Sequence, residues 1–205
     1  MNACVVTRFA VAALGGFVAG GILSVSPAEA ASLKKFDFSR KVITFETAPS
    51  FDFTVDDVTL NVTADAEDGT GQVRTTVEGL GVFDGKGWRR EIDAAGGLET
   101  LFLNFGQKVS LVSATFGYVD GNDAFNLFVG ENSLVNGEDI PDNNMFDFTG
   151  FDLLQTTAKT FSFTANLGSD YSLKSITVAT VPEPTTVLGL MAISALGSVA
   201  LKRKS

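Results

Sequence analysis

The sequence contains no histidine and a single cysteine, Cys4, among 205 residues. Without imidazole there is no Ser-His-Asp triad, no Cys-His dyad and no histidine metal ligand. One cysteine at the extreme N-terminus excludes a disulfide framework or a cysteine zinc site within one chain. Basic residues are scarce, with 15 Lys+Arg against 24 Asp+Glu. That balance excludes a nucleic-acid partner, which needs a basic stripe to neutralise phosphates. Trp88-Arg89-Arg90 is a basic cluster of only three residues away from the ends, and its ordinary role is an ion pair with Glu91 or Asp93. Proline is rare too, and two of the five fall together in Val181-Pro182-Glu183-Pro184.

Long apolar runs occur only at the two ends. Phe9 to Val25 is apolar except for Ser24 and follows Arg8. Ala28-Glu29-Ala30 then places small residues where a signal peptidase reads, and cleavage there leaves Ala31 as the new N-terminus. Residues 1–30 therefore read as a signal peptide, whose removal also removes Cys4. At the other end, Val187 to Leu201 is apolar apart from small residues, and Lys202-Arg203-Lys204 closes the chain. An apolar segment capped by a basic cluster reads as a stop-transfer helix with a cytoplasmic C-terminus. At about 1.5 Å per residue it covers roughly 22–26 Å, short for a permanent span and suited to a temporary anchor. Pro182 and Pro184 break the preceding strand, since each fixes φ and removes a backbone donor.

Pro182-Glu183-Pro184, an apolar helix and Lys202-Arg203-Lys204, in that order behind a signal peptide, resemble the PEP-CTERM sorting signal of Gram-negative bacteria. The same segment is also known as the ice-binding protein C-terminal domain, but the regular Thr-x-Thr ladders of an ice-matching face are absent. The resemblance implies processing at the tripeptide by exosortase, a membrane-embedded thiol transpeptidase. It further implies an inner-membrane-anchored precursor, made by the secretion translocon and signal peptidase. The product is then expected in the cell envelope or outside, as a surface or biofilm component associated with extracellular polysaccharide.

Between the ends, residues 31–181 form one domain's worth of chain, with 11 basic side chains against 22 acidic ones. Its periodicity is two. Phe51, Phe53 and Val55 alternate with Asp52, Thr54 and Asp56; Val58, Leu60 and Val62 alternate with Thr59, Asn61 and Thr63. Such segments are half-buried strands. The apolar phase slips by one residue across Asp56-Asp57, which predicts a bulge or tight bend. Further strands are expected at 41–46, 72–78, 98–105, 109–119, 124–130, 160–166 and 172–180. Turn signals include Asp68-Gly69, Asp84-Gly85, Asp120-Gly121, Asn136-Gly137 and Gly168-Ser169. The expected fold is all-β, an antiparallel β-sandwich of jelly-roll type, with an N-terminal signal helix and a C-terminal transmembrane helix. Glycine-rich Gly79-Leu80-Gly81-Val82 is similar to the β-rich mature regions of other PEP-CTERM proteins. Phe102 and Phe128 sit on the opposite parity from their apolar neighbours. Their strands are expected to be covered on both faces; the functional alternative is a sugar-stacking platform.

Three acidic groupings are candidates for chemistry. Glu91, Asp93 and Glu99 beside Trp88 have the residue types of a glycosidase pair, but spacing alone does not set the carboxylate separation such a pair needs. The expectation is a protein that is not an enzyme. Asp120-Gly121-Asn122-Asp123 offers hard oxygen ligands for Ca²⁺ through Asp120, Asn122 and Asp123, with Asp93 or Glu99 as further ligands. The same residues also suit an ordinary hairpin turn. No other cofactor is expected. Residues 136–144, acidic and Asn-rich, read as an exposed loop. Two functions follow: an exported, non-enzymatic surface or matrix protein, or a carbohydrate-binding module (less readily a secreted hydrolase) on the same scaffold, since sandwiches host many functions.

Overall fold

The computed structural model describes residues 31–39, 45–67, 69, 71–85, 91–95 and 97–181. The expected signal helix and transmembrane helix lie outside these residues. The described chain is all-β, with every strand pair antiparallel. Its strands are β1 (Leu33–Asp37), β2 (Glu46–Ala48), β3 (Ser50–Val55), β4 (Val58–Ala66), β5 (Gln72–Thr76), β6 (Gly79–Phe83) and β7 (Ile92–Asp93). They continue with β8 (Glu99–Gly117), β9 (Ala124–Val129), β10 (Asn132–Asp139), β11 (Met145–Asp147), β12 (Thr157–Ala165) and β13 (Asp170–Thr180).

The organising element is β8, 19 residues long. Along one edge its first half pairs with β4 and its second half with β13. Along the other edge it pairs with β12 and then β11. One wall is therefore β3-β4-β8-β12-β9-β10. The other is built on the far half of β8, with β11 and β13, and β1, β6 and β7 paired beyond β13. Both walls share one continuous hydrogen-bonded sheet, where a jelly roll would have two. The sequence pattern divides β8 into two strands at Gly106-Gln107-Lys108. The chain instead runs through them without a break, and Gly106 lies so close to β4 that an added Cβ would stand 2.5 Å from Thr59 Oγ1.

The core follows from the alternation. Odd-numbered Leu101, Leu103 and Phe105 of β8 and Phe161 and Phe163 of β12 are buried, as are even-numbered Leu60 and Val62 of β4. Rings from the two walls meet edge-on, Phe36 on Phe105 at 5.7 Å and Phe116 on Phe163 at 6.3 Å, and within the second wall Phe116 meets Tyr171 edge-on at 5.3 Å. Fully covered aromatic side chains of this kind stabilise by roughly 1.5–3 kcal/mol each. Tyr171 is wholly buried, and its hydroxyl donates to the Thr164 carbonyl at 2.9 Å, which meets the polar requirement of its tip. Burial, with the Asp123 charge added, holds this phenol well above its ordinary pKa.

Several local expectations are refined. The phase slip at Asp56-Asp57 is a two-residue hairpin turn between Val55 and Val58, with Asp56 in the left-handed region at φ 52°. Asn136-Gly137, read as a turn within an exposed loop, instead lies inside β10. There a register shift between Val135 and Glu138 accommodates Gly137 at φ 64°. Phe102 and Phe128, whose strands were expected to be covered on both faces, are half-buried and stand outside the core cluster, while Ser162 and Thr164 on the same face of β12 are buried. Strands β1, β6, β7, β10 and β11 were not among those expected, and most of the strand expected at 41–46 lies outside the described residues.

Candidate functional site

Three loops meet at one end of the sheet, and Asp123 joins them. The turn 118–123 links β8 to β9, and the turn 166–169 links β12 to β13. Asp123 is 4% exposed. Its Oδ2 accepts from the Asp120 amide at 2.6 Å and its Oδ1 from the Asp170 amide at 2.9 Å. Its own carbonyl accepts from the Ile140 amide at 2.8 Å, just beyond β10. Ser169 adds a reciprocal tie, its hydroxyl accepting from the Ala124 amide at 2.9 Å. Asn122, the middle residue of the expected calcium set, donates its amide to Asp120 Oδ1 at 3.1 Å, an Asx turn. The carboxylate of Asp123 is thus occupied by backbone donors. Among the described residues no group of three or more Asp, Glu, Cys or His side chains is placed to hold a metal ion.

The second grouping lies nearby. Asp93 pairs across the ladder with Asp170. Glu99 is 3% exposed and its Oε2 accepts from the Asp93 amide at 2.9 Å, while Asp93 Oδ1 accepts from the Ala95 amide at 2.8 Å. Asp93 thus shares a rung with Asp170, whose amide binds Asp123, and Glu99 joins this arrangement through Asp93. Their carboxylates cap backbone amides there. Trp88 and the basic pair beside it lie outside the described residues. Asp170 feels this company: partial burial first, then the charges of Asp123, Glu91, Asp120 and Asp93, raise its carboxyl above the ordinary 3.8. Asp170 was not singled out in the sequence, since its exposure to like charge arises only from strand pairing.

The first and last described residues lie at the opposite end of β13. Ala31 is exposed, and the first strand begins two residues later. Ser32 and Thr180 are bound twice, once between backbones, Thr180 N–H to Ser32 O at 3.0 Å, and once from backbone to side chain, Ser32 N–H to Thr180 Oγ1 at 3.1 Å. Beyond Val181 the chain enters Pro182-Glu183-Pro184. Ala28, Ala30, Pro182, Glu183, Pro184, Lys202, Arg203 and Lys204 all lie outside the described residues.

No curated protein and no solved structure matches the chain. A family model does, and only at the C-terminus: the PEP-CTERM protein-sorting motif over residues 180–204. It starts on the last residue of β13 and takes in Pro182-Glu183-Pro184, the apolar run and the terminal Lys202-Arg203-Lys204. The chain therefore carries the PEP-CTERM protein-sorting motif, the mark of an exported protein sorted through exosortase.

Proposed function

We propose that this is a non-enzymatic exported protein whose β-domain is delivered to the cell surface or extracellular matrix. The signal peptide directs it to the secretion translocon, and signal peptidase removes residues 1–30. The apolar segment from Val187 to Leu201, stopped by Lys202-Arg203-Lys204, holds the precursor in the inner membrane while exosortase acts near Pro182-Glu183-Pro184. The observation that carries this reading is the sorting motif at residues 180–204, which begins where the last strand ends. A Pro-Glu-Pro tripeptide suits a processing site: residues before proline are biased to extended backbone, and neither proline can donate to a sheet. A role without catalysis is supported by the carboxylates of Asp93, Glu99 and Asp123, each accepting from a backbone amide. Association with extracellular polysaccharide is the expected setting.

Mass spectrometry of both termini tests this, on protein recovered separately from culture medium, membranes and cytosol of the native host. The expected product begins at Ala31 and ends near Pro182. A Glu183→Ala variant should accumulate with its C-terminus intact in the membrane fraction. Recovery of the unprocessed chain, Met1 to Ser205, from the cytosol overturns the reading.

A further inference from the structure

We propose that the outer face of the wall formed by β4, β8, β12 and β9 binds an uncharged polysaccharide, with Phe102 and Phe128 as the stacking surface. Paired residues of antiparallel strands project to the same face. Phe102 of β8 pairs with Ser162 of β12, and Ser162 pairs with Phe128 of β9. The two rings therefore stand in one row, two strand spacings or about 9–10 Å apart. That is close to the length of a disaccharide. Core-facing neighbours on either side, Leu101, Leu103, Leu127 and Val129, are buried, so the rings point outward. They belong to no core cluster and are half-buried. Between them Ser162 is only 8% exposed although it faces out.

The rows on either side are polar and held in place. On one side Asn61 pairs with Asn104, and Asn104 with Thr160. Thr160 Oγ1 donates to Asn104 Oδ1, and Asn104 Nδ2 to Thr63 Oγ1, both at 3.4 Å. On the other side Asn126 Nδ2 donates to Thr164 Oγ1 at 3.1 Å. A groove of about 300 Å³ bordered by Asp52, Asn61, Asn104 and Gly106 extends the strip past the first row. A sugar ring has an apolar C–H face and a rim of hydroxyls. Flat aromatic faces take the first, and fixed amides and hydroxyls take the second.

Charge selects among polymers. From β8 to β9 these three rows contain no charged side chain; Asp52 on β3, held by Asn61 Nδ2 at 2.8 Å, borders the groove, and Asp65 on β4 pairs with Thr100 at the edge of the strip. The mature chain is strongly acidic. An acidic polysaccharide is repelled by that field, and a basic peptide finds no carboxylate in the centre of the strip. A second copy of the chain is disfavoured by area: two rings separated by a hydroxyl fall short of the apolar centre of a stable interface, which buries about 1,200–2,000 Å².

The inference rests on the export reading only for where such a polymer is met; binding itself is measured separately. Protein made from the full-length gene and recovered from the medium is mixed with microcrystalline cellulose, curdlan or chitin, and with alginate as the acidic comparison. The expected result is depletion from solution by at least one neutral polymer and not by alginate. Phe102→Thr and Phe128→Thr, which suit a strand, should each weaken binding about 2–12-fold. Phe102→Leu keeps apolar bulk without a flat ring and should weaken it equally, with the melting midpoint unchanged. Depletion by none of the neutral polymers, or binding indifferent to all three substitutions, overturns the proposal. So does light scattering that shows a dimer lost in the phenylalanine variants without any glycan retention. If the chain is instead recovered intact from cytosol, the same assay is run on that material, so failure of export and failure of binding are read independently.

Discussion

Replacing Asp123 by alanine should loosen three loops at once. The carboxylate accepts from the amides of Asp120 and Asp170 at 2.6 and 2.9 Å while 4% exposed. Hydrogen bonds to a charged group contribute about 1.5–3 kcal/mol each, and truncation leaves both backbone donors without this partner. Water can reach the amide of Asp120, which is at the exposed end of the turn. The net loss is therefore set at about 2–4 kcal/mol, below the full sum of the two bonds. For a domain of this size each kcal/mol moves the melting midpoint by about 2–4 °C, so the midpoint should fall by about 4–16 °C. Asp123→Asn retains one acceptor and turns an N–H₂ toward the other amide, and should fall about half as far. Circular dichroism melts in EDTA and in millimolar calcium separate a structural tie from a metal ligand. The structural account requires the same loss in both buffers. A wild-type midpoint that climbs with calcium, with the climb abolished in Asp123→Asn, would make this turn a metal site and refute the reasoning.

Other outcomes follow from the same geometry. Tyr171→Phe removes the hydroxyl bond to Thr164 O within a fully buried ring, and chemical denaturation should show a loss of about 1 kcal/mol. Gly79→Ala should cost more than about 1 kcal/mol in the same assay, because φ is +127° and the new Cβ would stand 2.3 Å from the Leu173 carbonyl oxygen. Asp170 has a raised folded pKa, so its ionisation opposes folding increasingly as pH rises from the ordinary 3.8 to the raised value, and fully above it. Asp170→Asn should accordingly raise the midpoint at pH 7, with the gain vanishing as pH falls toward the ordinary 3.8. Asp37 and Asp147 act in the opposite sense. Hydrogen bonds from Ser39 and Thr149 lower their pKa values, so their contribution is present above 3.8 and lost as pH drops through the lowered values. Acid titration of Asp37→Asn should show a shallower loss of stability than wild type.

Strands with clean alternation, such as β3 and β4, were legible because one face is apolar and the other polar. β8 was misread as two segments because Gly106-Gln107-Lys108 resembles a break in composition while remaining extended in the chain. β10 was hidden because it is an edge strand with bulges, and its outward residues are mostly polar. Among the acidic groupings, the sequence identified the residues but not their role. Whether Asp123 faces solvent, metal or amide depends on the turn after β12, some 45 residues away. The sorting segment was readable without any fold, since its three features lie in order along a short stretch of chain. Phe102 and Phe128 showed their odd parity in the sequence, but only the pairing of β8, β12 and β9 puts their rings in one row.

The clasp between Ser32 and Thr180 has a mechanical consequence. β13 runs antiparallel to β1 on one flank and to β8 on the other. Its ladder bonds lie across the strand direction. A steady pull at residue 181, along the strand axis, therefore strains both ladders in shear, all rungs together, where a peeling geometry would open them singly. A cargo tethered from this seam would resist drag far better than one suspended from a frayed hairpin.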